Sequence, residues 1–287
     1  MEQSIDPKKF VRKLEDYQDE APEIFGIPTS TGLDELFYRL VKKGGEWTKE
    51  PLGGIPFRAV INVTGEPDTG KSVLAEQFAV FQAGRGYGVC FVTVEAPAQF
   101  LFTALQQKAD VMGLSFDEVK ENMVVVDAAA NPSIRENLYN FVETVRYAVQ
   151  TYETKITVVD SITGLYEHKE IMARQVVRVV FNELKKLGQT ALLISQKRSS
   201  QAAETAEAAG GLAVAHIVDG TVVMGKVLVK SKWESQLYGL PLGSVLRTIR
   251  IDGCRVVPHH TRTWVFEITD TGLVEFVEPL ETFISKT

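Results

Sequence analysis

Two rhythms of apolar and polar positions alternate along the first two thirds of the chain. Short, nearly continuous apolar runs at 59–64, 88–94, 123–126, 156–160 and 191–196 predict buried strands. Between them lie helical stripes. Val73, Leu74, Gln77, Phe78 and Phe81 share one face and stop at Gly84, and Pro97 opens a second helix. Leu138, Phe141, Val142, Val145 and Val149 form a third stripe, with Ser133 and Glu136 spaced as a capping box before it. A fourth helix is expected over 170–187, stopped by Gly188. Strands and helices in alternation predict an α/β fold whose mainly parallel sheet is covered by helices on both faces.

The flanks read differently. Asp6-Pro7 starts a short amphipathic helix whose stripe is Phe10, Val11, Leu14 and Tyr17, expected to pack on its own domain. Residues 1–28 are thus an N-terminal helix and linker, and 29–287 the main domain. Residues 28–36 predict a turn into a short helix, and 38–54 an exposed polar excursion around Trp47. Residues 201–211, rich in Ala, Glu and Gly, read as a mobile surface loop. Beyond it, alternating runs at 220–224, 226–232, 245–251 and 264–268 predict an antiparallel extension of the sheet.

One stretch carries chemistry on its face. Gly65-Glu66-Pro67-Asp68-Thr69-Gly70-Lys71-Ser72 fits G-x-x-x-x-G-K-[ST] and lies between a predicted strand and the helix that begins near Val73. Glycines let the backbone N–H groups turn inward onto phosphate oxygens, the lysine reaches the outer phosphates, and the serine hydroxyl faces a magnesium ion. Strand, glycine loop and helix in that order is the context the motif requires, because the helix N-terminus adds its positive dipole end.

Composition narrows the setting. A chain of 287 residues holds one large α/β core, and its net charge of −6 disfavours a bulk electrostatic grip on nucleic acid. Cys90 and Cys254 are its two cysteines, too few for a disulfide framework, and the four histidines show no metal-binding spacing. Without an apolar leader or an 18-residue apolar run, a cytoplasmic location with no membrane association is the expectation.

Ligands of open α/β sheets bind beyond the carboxyl ends of the strands, so the polar residues there are the site candidates. Asp160 fits a carboxylate that holds magnesium through water, in preference to a helix cap after a strand. Glu95 is placed to be a general base, and Gln196 to sense the outer phosphate or position water.

These segments, taken with Thr31-Gly32-Leu33-Asp34-Glu35-Leu36, Gly53-Gly54-Ile55-Pro56 and Val218-Asp219-Gly220, resemble a single domain of the KaiC-like branch of RecA-type ATPases, which also resembles the RadA recombinases. The resemblance runs from about Thr29 to Val277. It implies a RecA-like core, ATP with magnesium, and a homo-oligomer, a hexameric ring or a filament, with nucleotide between subunits. It further implies that Glu95 is the catalytic carboxylate. It makes Arg255 and His259 the residues that reach a neighbour's ATP, after the family's Lys-x-Arg-Gly-x-x-His run. Here Gly253 replaces that lysine, Ala96 stands where clock-type members have a second glutamate, and Asp68 stands where many relatives have glycine. These departures point to slow hydrolysis. The expected function is therefore an ATPase that couples its nucleotide state to a protein partner. The alternative is a recombinase-like single-stranded DNA binder using Lys197, Arg198 and the 201–211 loop, against which stand Glu204, Glu207 and the absence of aromatic residues there. A small-molecule kinase is disfavoured because no Arg-bearing lid follows the core, and circadian timing because the family's clock proteins carry two such domains in tandem where this chain has one.

Overall fold

The computed structural model describes residues 6–167, 170–197 and 214–286. Its spine is a nine-stranded sheet. In chain order the strands are β1 (Val60–Gly65), β2 (Val89–Thr93), β3 (Met123–Asp127), β4 (Ile156–Asp160), β5 (Thr190–Gln196), β6 (Gly220–Leu228), β7 (Val245–Cys254), β8 (Trp264–Ile268) and β9 (Val274–Pro279). Across the sheet they run β9-β8-β7-β6-β1-β5-β4-β2-β3. Pairing is parallel from β6 to β3 and antiparallel from β6 to β9.

The crossovers between parallel strands carry the long helices α1 (Lys71–Ala83), α2 (Ala98–Val111), α3 (Leu138–Thr151) and α4 (Ala173–Lys186). They divide the core in two. Ile61, Val63, Phe91, Val158 and Leu192 face α1 and α2, whereas their strand neighbours Val60, Cys90, Val92, Val159 and Leu193 face α3 and α4. Successive residues of a strand point to opposite faces, so a sheet covered on both sides needs apolar residues at every position. That is why these strands read as unbroken apolar runs.

Two polar groups lock α1 and β1 in place. Gln77, almost wholly buried on α1, donates to the Ser30 carbonyl (3.1 Å) and accepts from the Val274 N–H (2.7 Å). It joins the segment ahead of β1 to the far edge strand. The Asp219 carboxylate accepts from the Val60 N–H and the Lys185 ammonium, both at 2.8 Å, which pins the start of β6 against the start of β1.

Several expectations are revised. Phe10, Val11, Leu14 and Tyr17 do not form one helix packed on the domain: Phe10 ends one 3-10 segment, Pro7–Phe10, Val11 is extended, and Leu14 and Tyr17 lie on a second, Leu14–Glu20, with Phe10 at 74% and Leu14 at 89% exposure. So short a stretch does not sustain an α-helix without tertiary packing. α3 is capped by Asn137, whose side chain accepts from the Asn140 N–H at 3.1 Å, and not by a Ser133/Glu136 box, because a separate turn at Pro132–Arg135 comes first. The runs at 220–224 and at the start of 226–232 are one strand, β6, which joins β1 in parallel; the rest of the second run leads into a helix at Lys232–Tyr238. Alternation of side chains is the same in parallel and antiparallel strands, so the direction of β6 has no sequence signature. The excursion after Phe37 is a hairpin, Tyr38–Lys43 with Glu46–Pro51, turned by Gly44 and Gly45, both at positive φ as a two-residue hairpin turn requires. The 201–211 loop, Arg198 and His168 lie outside the described residues.

Phe78, fully buried between α1 and the sheet, tests this packing. Phe78→Ala is expected to cost about 3–5 kcal/mol of stability by leaving a cavity under the loop helix. Urea denaturation of the two proteins measures it, and a difference below about 1 kcal/mol contradicts the buried placement.

Candidate functional site

The loop after β1 closes tightly because its glycines leave no room for side chains. A Cβ on Gly65 would meet the Met224 carbonyl oxygen at 2.3 Å, and Gly70, at φ +97, would meet Ile268 at 2.9 Å. Gly70 precedes α1 and supplies no capping side chain, so the helix's first N–H groups face the loop without a side-chain cap. Asp68 also takes positive φ (64°), a conformation Asp tolerates better than most residues.

Within this cradle Lys71 is only 6% exposed. It donates to the Glu66 carbonyl oxygen at 2.7 Å, with Thr69 Oγ1 at 3.5 Å, and among the described residues it forms no ion pair. Burial lowers its pKa to about 8, with the more distant Asp160 and Glu95 pulling the other way and Lys226 pushing it down further. A buried cation held by a neutral carbonyl is a site for an anion.

Parallel register brings the other candidates alongside. Thr93 is opposite Asp160, Asp160 is opposite Ile194, and Gly65 is opposite Gln196. At the end of β4, Asp160 is pushed up to about 6 by burial, and the Ser72 hydroxyl that hydrogen-bonds to it acts in the opposite sense. A carboxylate short of solvation beside a hydroxyl suits a small hard cation. Two residues past β2, the exposed Glu95 carboxylate accepts from the Gln196 side-chain amide at 2.8 Å and from the Ser161 hydroxyl. Gln196 is itself fixed by its N–H, which donates to Thr163 Oγ1 at 2.9 Å.

A cleft of about 280 Å³ is lined by the loop from Pro67 to Val73 together with Glu95, Asp160, Gln196 and Ile268. It abuts a second cavity of about 370 Å³ that shares Glu95 and Gln196 and adds Arg135 and Glu167. The helical turn after β3, far from the loop in sequence, carries Arg135 to the wall of this second cavity.

Arg255 and His259 lie elsewhere. The start of β6, Gly220, is opposite both Ile61 and Cys254, so Arg255 sits past the amino end of β1. Ile61 and Gly65, four residues apart, are separated by about 13 Å of strand, so in one chain this arginine lies at the opposite end of the sheet from the loop. Its backbone N–H and its guanidinium donate to the Asp219 and His216 carbonyls, both at 2.7 Å. His259 forms a bridge with Phe37 at the root of the hairpin.

Gly65 to Val73, Asp160, Glu95 and Gln196 thus come together, while Arg255 and His259 remain apart. Sequence reading missed Ser161, Thr163, Arg135, Ile268 and Lys226. Of these only Ser161, adjacent to Asp160, carried a positional signal.

An inner parallel strand running into a phosphate-binding loop, with carboxylates on the next strand ends, defines a RecA-type P-loop ATPase. The chain belongs to the KaiC ATPase family, whose model matches residues 26–281. Similar chains include UPF0273 proteins of Methanopyrus kandleri, 29% identical over 249 residues (82% of this chain, 89% of the relative), and of Thermotoga maritima, 27% identical over 264 residues (87% and 93%). A solved KaiC-like protein of Pyrococcus horikoshii shares the fold, with a TM-score of 0.66 at 22% identity, covering 89% of this chain and all of that one. No described helix is long and apolar enough to cross a membrane.

Proposed function

We propose that this chain binds ATP with magnesium at Gly65 to Val73, hydrolyses it slowly, and assembles as a homo-oligomer, a ring or filament, whose nucleotide state is read by a protein partner in the cytoplasm. The observation that carries the reading is the buried Lys71, whose ammonium among the described residues donates to carbonyl and hydroxyl oxygens and to no carboxylate. Phosphate oxygens would replace the Glu66 carbonyl as its partner and supply the negative charge that burial withholds.

Ser72 and Asp160 would hold the magnesium ion, which when bound neutralises phosphate charge. The fit lies in the donor set: a hydroxyl and a desolvated carboxylate that line the same cleft. Glu95 takes a proton from the attacking water as the new P–O bond forms and the bond to the leaving ADP breaks. The Ser161 hydroxyl and the Gln196 amide both donate to Glu95, so they hold it in place while leaving its remaining lone pairs for the water. Slow turnover follows from Gly253, which leaves Arg255 without the family's adjacent lysine to stabilise charge on the transferring group. Because Arg255 lies past the amino end of β1, it serves a neighbour's nucleotide in this reading, and His259 contacts that nucleotide beside it.

Three measurements test the proposal. Lys71→Ala is expected to remove most ATP affinity in calorimetry, and wild-type affinity in that variant sinks the phosphate-loop assignment. Glu95→Gln should bind ATP normally and slow single-turnover hydrolysis by roughly 100-fold or more, the usual contribution of a positioned base. An unchanged rate passes the role to another group.

An arginine supplied in trans contributes about 10³ to 10⁵ in rate in related phosphoryl transfers. Arg255→Ala and Glu95→Gln subunits, each inactive alone, are therefore expected to regain part of the activity when mixed, since some interfaces then combine both intact residues. Mixed subunits that co-assemble without regaining activity rule out the trans role.

A further inference from the structure

The loop of this chain carries a carboxylate where an anion is to bind. Asp68 holds positive φ with its side chain 79% exposed on the rim of the cleft. Uncompensated, it would repel every phosphate that approaches Lys71. The compensation comes from a residue 158 positions away. Lys226 Nζ lies 3.3 Å from Asp68 Oδ2, and its side chain is 28% exposed.

Strand geometry explains the meeting. β6 runs parallel to β1 with Met224 opposite Gly65, so β6 continues past the point where β1 breaks into the loop. Residues two apart share a face of the sheet. Met224 Cε approaches Gly70, and Lys226, two residues further on the same side, therefore extends over the loop itself.

An ion pair on a solvent-exposed rim, at 3.3 Å and through one oxygen, is weak. A triphosphate offers more charge and more oxygens than one carboxylate, so it outcompetes Asp68 for the ammonium. We infer that Lys226 is a second phosphate-binding cation of this site, parked on Asp68 in the empty loop and transferred to the outer phosphates when nucleotide enters. Asp68 and Lys226 then act together as a latch that keeps the empty site neutral and makes binding selective for the more highly charged nucleotide.

This inference rests on the proposed ATP site, and a four-protein cycle measured by calorimetry with ATP and ADP tests it: wild type, Lys226→Ala, Asp68→Asn and the double variant. If Lys226 contacts phosphate, Lys226→Ala weakens ATP binding about tenfold, more than it weakens ADP binding. The loss is at least as large in the Asp68→Asn background, where the lysine starts unpaired. Asp68→Asn alone tightens ATP binding. If Lys226 only neutralises Asp68, removing it in the Asp68→Asn background changes nothing, and the inference is overturned. Equal losses for ATP and ADP overturn the selectivity. Lys71→Ala separates this failure from that of the site: if it abolishes binding while Lys226→Ala does not weaken it, the ATP site stands and the latch falls. Absence of ATP binding by the wild type removes both. Circular dichroism of each variant shows that the effects arise in the folded protein, and Lys226→Arg, which keeps the charge, is expected to retain most of the affinity.

Discussion

The arrangement depends on one constraint: parallel strands that share a direction end on the same edge of the sheet. Because β1, β2, β4 and β5 all run the same way, the turns that follow them are gathered on one rim, and the residues that begin those turns become neighbours. Nothing in the helices could substitute for this. The loop needs an inner strand to hold Gly65, and Asp160, Glu95 and Gln196 reach it only because their strands stop level with it. Even the residues that secure the register, Asp219 against Val60 and Gln77 against Val274, are polar groups used to fix backbone positions inside an otherwise apolar core.

Desolvation then gives the rim its chemistry. The same burial lowers the proton affinity of Lys71 and raises that of Asp160, since each loses the water that favours its charged form. The two groups are strained in opposite senses by one environment. A ligand carrying an anion and a small cation together would relieve both, and this is what the proposed metal-bound phosphate would bring to the site. Glu95, exposed and held by two donors, stands outside this desolvated pair, where it can meet water.

The departures from the family pattern acquire meaning when placed in three dimensions. Asp68 in place of glycine looks like a defect in an anion site until Lys226 is found above it. The 38–54 excursion holds a hairpin whose root touches His259, beside the face that carries Arg255. Its two strands leave Trp47 at 70% exposure, so the hairpin contributes surface and not core.

Composition and pattern alone determined the α/β class, the strand-loop-helix unit at Gly65 to Ser72, and the candidacy of Asp160, Glu95 and Gln196, because local rhythm and strand-end position are properties of adjacent residues. The family resemblance added Arg255 and His259. What the sequence could not carry were relations between distant segments. The parallel direction of β6, the meeting of Lys226 with Asp68, the cavity that Arg135 and Glu95 both line and the hold of Ser161 on Glu95 all depend on strand order, which no local stretch of the chain displays. The N-terminal stripe shows the converse: Phe10, Leu14 and Tyr17 have the spacing of a helix face, yet periodicity predicts burial only when a partner surface is in reach, and the folded domain presents none to them.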